Sequence, residues 1–411
     1  MRIAAFCHSL LSDWNRGTAH FLRGILTELA SRGHAVEILE PRDPWSVASL
    51  VREHGTPMQS EVREVYPDLA IRRYDVPTID LDATLDGVDL VLVHDSTPRD
   101  VVARIGAHRV RHGGYTLLFH DTRHRSVTEP SIDADEQASY DGVLVAAETI
   151  RECYLARGWS RRVWTWHKAA DTRVFTPHAR EATSDGDVVF IGNWGDDRRF
   201  GELESMFVGP VRDLGLSAQI HGIRYPAAAR ATLAEAGVRD GGWLPNYRMP
   251  SVFARYTATV HLPRQPSLEG LAGLPTMRAF EAMACGICLV SSPWTDREEL
   301  FTAGSDYLVA RTRDEMTEHL RALVADAGLR AALSAHGLAT VRRRHTCAHR
   351  VDELLGITEA LGIDTTTCTL PPIAELVSTS RIRGAQPSDR GSGTKPASPA
   401  RSVGLSNGRR A

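Results

Sequence analysis

Short apolar runs alternate along this chain with stretches in which apolar residues recur every three or four positions. Arg2–Phe6 is a strand-like run, and Thr18–Arg32 follows with Phe21, Leu22, Ile25, Leu26 and Leu29 at helical spacing. Gly33 stops that helix, and Ala35–Leu39 is the next strand. Leu90–His94, Tyr115–His120, Gly142–Ala146 and Arg162–Trp166 are further strand-like segments. Strands separated by helical stretches imply βαβ units and a parallel sheet.

The alternation then restarts. Asp187–Ile191 opens a second series, with strands at Ala218–His221, Ala258–Leu262 and Ile287–Ser291. Helices are expected near Gly201–Leu214, from about Ser267 to Cys285, and over Arg313–Ala325, Ala327–Arg343 and Arg350–Leu361. The turn chemistry around Pro177 and Asp185-Gly186 marks a linker. The expected layout is an α/β fold of two tandem Rossmann-like domains. The first spans 1–170, a linker 171–186, the second 187–345, and a C-terminal helix 346–363. From 364 to 411 the chain turns rich in Ser, Gly, Pro and Arg, and too few large apolar residues remain to offset ordering entropy; a disordered tail is expected.

Composition sharpens this picture at two points. The 411 residues carry a net charge of −3, but residues 378–411 hold seven bases against one acid, Asp389, which leaves the body at −9. A near-neutral chain of this kind argues against nucleic acid as a partner. No apolar run reaches membrane-spanning length, and a cytoplasmic enzyme is expected. Lysine occurs only at Lys168 and Lys395, so an anion site in the body has Arg or Lys168 to draw on. The six cysteines are scattered and expected to be free thiols. The Cys285-x-x-Cys288 pair reads as a helix end, a glycine cap and a buried strand; no second pair completes a zinc site.

Ligands of open α/β sheets bind beyond the carboxyl ends of the strands, so the turns there are inspected first. The loop from His8 to His20 after the first strand is long and polar, and Trp14, Asn15, Gly17 and His20 suit a substrate-facing lip. A structural Ω-type loop is the alternative. Apolar residues running into His120-Asp121 place polar tips in a cleft; His120 suits donation to a reacting sugar and Asp121 a substrate contact, against a satisfied structural histidine. His120, Asp121 and His124 offer only weak metal spacing, and no metal is expected. Gly192-Asn193-Trp194-Gly195 is a glycine turn before a helix start with Arg198 and Arg199, which suits a diphosphate; the alternative pairs these arginines with Asp196 and Asp197.

The segment from Pro275 through Glu281-Ala282-Met283-Ala284-Cys285-Gly286 to Ser291 resembles the nucleotide-binding "EAMACG" helix and strand of GT-B-fold retaining glycosyltransferases. Gly33-His34-Ala35-Val36 resembles their "GH-V", and Asp171–Pro177 their interdomain "GVD…VF-P". The details look closest to the CgeB-like spore-maturation glycosyltransferases, over about residues 1–360. The resemblance implies two sheets facing across a cleft and a hexosyltransferase-type enzyme, with retention at the anomeric carbon. The co-substrate is a nucleotide-diphospho-sugar; no cofactor or metal is implied. The acceptor class is left open between a glycan, a lipid-linked molecule and a small aglycone. Glu281 matches the acid on the ribose hydroxyls, the start of the helix at Pro275, Thr276 and Met277 faces the diphosphate, and His120 matches the histidine near the anomeric centre. Arg198 and Arg199 lie where diphosphate bases are expected, with Gly192, Asn193 and Trp194 beside them. The family's second acid falls on Gly273; Glu269 is the nearby substitute. The rival readings are a sugar-nucleotide epimerase, an inverting transferase with Asp13, His20 or His120 as base, and a non-catalytic glycan- or nucleotide-binding protein.

Overall fold

The computed structural model describes residues 1–14, 18–55, 57–122, 138–179, 185–194, 198–263, 275–294 and 296–365, with backbone only at 57–58 and 198–199. The first domain runs β1 (Arg2–Phe6), α1 (Ala19–Ser31), β2 (Ala35–Pro41), α2 (Trp45–His54), α3 (Pro57–Val65), β3 (Ile71–Tyr74), α4 (Leu81–Leu85), β4 (Leu90–His94), α5 (Arg99–His112), β5 (Thr116–Asp121), β6 (Gly142–Val145), α6 (Glu148–Ala156) and β7 (Val163–Thr165). Its strands are parallel, in the order β3-β2-β1-β4-β5-β6-β7.

The second domain runs β8 (Gly186–Ile191), α7 (Arg198–Leu203), a π-helical segment Glu204–Val208, α8 (Gly209–Leu214), β9 (Ala218–His221), α9 (Ala227–Glu235), β10 (Val238–Asp240), α10 (Met249–Phe253), β11 (Tyr256–His261), α11 (Met277–Ala284), β12 (Cys288–Ser291), β13 (Leu308–Val309), α12 (Arg313–Ala325) and α13 (Ala327–Arg344). These strands are also parallel, in the order β10-β9-β8-β11-β12-β13. The last helix among the described residues is α14 (Cys347–Ala360).

Strand alternation splits each sheet's apolar residues between two cores. In the first domain Phe6, Val91, Val93, Leu117 and Phe119 face one helical layer; Ile3, Ala5, Leu92, Leu118 and Leu144 face the other. That second layer includes Cys347, Val351 and Leu354, so α14 packs against α1 of the first domain. The second sheet is likewise buried on both faces, by Phe207, Leu233 and Leu320 on one side and Phe253, Phe280 and Val341 on the other.

Some expectations need correction. The helix expected from about Ser267 starts at Met277: Thr276 caps it, its hydroxyl accepting from the Arg278 backbone N–H at 3.3 Å. Residues 267–274 lie outside the described residues. The expected helix over Gly201–Leu214 begins at Arg198 and contains the π-helical segment. β3, β10 and β13 carry no strand signal in the sequence: all are short, and Arg72 and Arg73 in β3 and Arg239 and Asp240 in β10 interrupt the apolar pattern. The Cys285–Cys288 segment is a helix end, Gly286 with φ 70°, and a buried strand; both thiols are free. The expected tail lies almost wholly outside the described residues. No helix among them is long and apolar enough to cross a membrane.

Leu354→Ala is expected to lower unfolding free energy by ~2–5 kcal/mol, since its side chain is wholly buried between domain and last helix. Urea denaturation checks this, with exposed Glu359→Ala expected to shift by under about 0.5 kcal/mol.

Candidate functional site

The carboxyl ends of the two sheets meet. On the first domain, β4 ends at His94, β5 ends in His120-Asp121, and the register pairs His94 with His120. On the second, β9 ends at His221 and β11 at His261. Four neighbouring or facing strands thus finish an apolar run with an imidazole.

Adjacent residues on β5 point to opposite faces, and this separates His120 from Asp121. His120 turns toward Phe21, Trp166 and His94, with ring centroids at 5.7, 4.8 and 5.0 Å. It is buried, and its Nδ1 has no hydrogen-bond partner among the described residues. Burial, reinforced by His94, holds its pKa well below the usual imidazole value, so the ring is neutral near pH 7. Asp121 turns the other way, into the core, where the Tyr154 hydroxyl donates to it at 2.5 Å. It is fully buried, and this is where the structure places the residue expected to contact substrate.

His20 sits at the start of α1 and is fully buried. Its Nε2 accepts from the Asp171 backbone N–H at 3.1 Å, which fixes the proton on Nδ1. Nδ1 therefore donates to Glu281 Oε1 at 2.7 Å, and the ring stacks on Phe175 at 4.0 Å. No ring nitrogen remains for a ligand, so His20 is a strut rather than part of a lip. Glu281 Oε2 accepts from Arg278, whose Nε donates to the Ile191 carbonyl at 3.1 Å. Burial pushes the Glu281 pKa up, but Arg278 and His20 outweigh it and hold the carboxyl below its usual range. Each of its oxygens already accepts one hydrogen bond, from His20 and from Arg278.

Lys168 lies just after β7 and is partly buried. Its Nζ donates to the Pro275 carbonyl at 3.2 Å, immediately before α11. Among the described residues it pairs with no carboxylate, and burial lowers its pKa to about 8. At the same helix start, the Thr276 hydroxyl meets His261 Nε2 at 2.9 Å, and His261 Nδ1 meets the Ser291 hydroxyl at 2.9 Å. A cation and the positive end of a helix dipole thus converge. Met277 opens that helix with its side chain in the first domain's core. A small cavity lined by Ala147, His167, Lys168, Pro275, Phe280 and Glu298 adjoins them.

Other expected residues lie apart. Trp14 is buried, packed on Trp243 at 5.6 Å and His54 at 5.5 Å, with Leu50 and Ile223 around it; its indole joins the domains and offers no open stacking face. Trp194 is a core residue, against Phe200 and Tyr225. Gly192 accepts from the Tyr225 hydroxyl at 2.6 Å, and Asn193 Oδ1 from the Ile223 N–H at 3.2 Å, so this turn is braced by the loop after β9. Asn15, Gly17, His124 and Glu269 lie outside the described residues, as do the side chains of Arg198 and Arg199.

Further domain-crossing contacts were not read from the sequence. Asp13 accepts from the Asn246 N–H at 2.7 Å and faces Arg23 at 3.5 Å. Glu298 receives the Glu148 N–H at the start of α6 at 3.2 Å and pairs with His167 at 2.9 Å. The recurring apolar-run-then-His pattern was a usable signal for His94 and His261.

Residues 198–356 match the glycosyl transferase-like family. A search of curated proteins finds no match. Among solved structures, an alpha-glucosyltransferase in complex with UDP-glucose and DNA containing an abasic site is similar, with TM-score 0.63 and 13% identity over 87% of this chain and 99% of that one. Sucrose-phosphate synthase from Thermosynechococcus elongatus gives 0.60 and 16% over 88% and 99%. The Anabaena protein Alr3699/HepE, in complex with UDP, gives 0.61 and 11% over 88% and 100%. The fold is GT-B, and the family match to the second domain supports a glycosyltransferase.

Acid stability provides a check on the buried bridge. A carboxyl held below its unfolded value adds stability that is present above about pH 4.5 and is lost as pH falls through the folded pKa. Glu281→Gln is therefore expected to flatten the acid limb of a Tm-against-pH curve. An unchanged acid limb would contradict the assigned charge state.

Proposed function

We propose that this protein transfers a sugar from a nucleotide-diphospho-sugar to a hydroxyl-bearing acceptor, with retention at the anomeric carbon. One observation carries the reading: Lys168, a cation with no carboxylate partner among the described residues, touches the carbonyl of Pro275, which immediately precedes the Thr276 cap of α11. Two sources of positive potential at one point suit a diphosphate, first as ligand and then as leaving group. The family match over 198–356 and the UDP named with similar structures support a nucleoside diphosphate as the ligand. The base and the sugar are left open.

In this reading the leaving diphosphate accumulates charge as the glycosidic bond breaks. Lys168, the N–H groups at the start of α11, and Arg198 and Arg199 on the opening turn of α7 stabilise it, each donor contributing on the order of 3 kcal/mol. Neutral His120 contributes a hydrogen bond rather than a charge. The ribose contact of Glu281 that the family motif implies shares this carboxylate with His20 and Arg278, which couples donor entry to the domain contact His20 makes. The acceptor is assigned to the first domain's side of the cleft.

A thermal-shift panel of nucleoside diphosphates and sugar nucleotides tests the donor site; bound nucleotide is expected to raise Tm. If no nucleotide does so, the proposal fails. Affinity for the best nucleotide is expected to fall as pH rises past about 8, as Lys168 loses its proton, and the fall is expected to vanish in Lys168→Met. Glu281→Ala binding as tightly as the unaltered protein would sink the ribose contact. Release of nucleoside diphosphate only when donor and acceptor are both present separates transfer from mere binding, and the anomeric signal of the product in proton NMR reports retention.

A further inference from the structure

We propose that the first domain carries a divalent transition-metal site built by Asp82, His108 and His112, remote from the sugar-transfer cleft. His108 and His112 are one turn apart on α5, so their rings lie on one helix face, with centroids at 4.4 Å. Asp82, in the first turn of α4, faces them: its Oδ1 is 3.0 Å from His108 Nε2 and 3.5 Å from His112 Nε2. The three candidate ligand atoms lie within 4.8 Å of one another. Two atoms bound to one ion at bond lengths of ~2.0–2.2 Å sit about 3.0–3.4 Å apart, close to both of these separations.

Two further observations separate this cluster from an ordinary surface ion pair. His108 is 4% exposed, and its Nε2 lies 3.0 Å from the Asp82 carboxylate. The other nitrogen of His108 meets the Tyr115 hydroxyl at 2.9 Å, the outer contact that fixes the orientation of a metal-bound imidazole. Asp82 and His112 remain exposed, so an ion has a path in and coordination positions left for water.

The location sets the role. Tyr115 immediately precedes β5 and Gly87-Val88 precede β4, so the site is at the amino ends of the strands, opposite the transfer cleft. An ion there would tie α4, a helix of five residues, to the end of α5. The ligand set of two imidazoles and a carboxylate selects zinc, cobalt or nickel over magnesium or calcium. The role is a structural clip, independent of the transfer chemistry.

The test uses the full chain freed of metal with a chelator. Titration with Co2+ is expected to give one equivalent with ligand-field absorption, and Zn2+ is expected to displace it and raise Tm. His112→Ala and Asp82→Asn, both at exposed positions, are each expected to weaken binding at least tenfold and abolish the Tm rise. Tyr115→Phe is expected to weaken it about tenfold while leaving the ligands in place. The proposal is overturned if the unaltered chain binds no more metal than the His112→Ala, Asp82→Asn double variant. It is equally overturned if the cobalt spectrum is the same in both, or if magnesium competes as well as zinc.

Discussion

The buried contact between His20 and Glu281 organises the centre of this molecule. One imidazole joins three parts of the chain: α1 of the first domain through its own backbone, the segment between the sheets through the Asp171 N–H, and α11 through Glu281. The direction of each hydrogen bond follows from the one before. The Asp171 donor fixes the tautomer, the tautomer aims a proton at Glu281, and Arg278 secures the other oxygen while anchoring to the end of β8. A buried carboxylate is costly to leave unpaired, so loss of any member is felt across the domain boundary.

Around that bridge the site divides into a neutral half and a charged half. The first domain contributes His120, uncharged because it is buried among aromatic rings and beside His94. The junction contributes Lys168, still largely protonated near neutrality, set against the opening of α11. Such a division fits a reaction in which one end of the donor must be polarised without net charge and the other must accumulate negative charge on leaving.

The two-sheet architecture was legible because doubly buried strands leave plain apolar runs, and the helix stop at Gly33 and the cap at Gly286 were written in single residues. What the sequence hid follows physical lines. Edge strands such as Ile71–Tyr74 need no apolar centre, and Arg72 spends its charge on Glu37. Strand periodicity sets Asp121 apart from His120 on opposite faces of β5, although the two adjoin in sequence as one polar tip. Trp14 looked like an exposed lip because its partners, Ile223 and Trp243, come from the other domain. His20 and Glu281 are 261 positions apart, and no local pattern announces such a pair.

The return of α14 to the first domain bears on how this chain is made. Cys347, Val351 and Leu354 complete a core that also holds Ile3, Ile25 and Leu29. During synthesis the amino-terminal half must wait, with that apolar layer uncovered, until the second domain and the last helix have followed it out of the ribosome. The two halves are therefore not independent beads that mature in turn. An apolar layer made early is sealed by a helix that follows much later, and the period before that seal forms is when a nascent chain is most exposed to sticking to its neighbours.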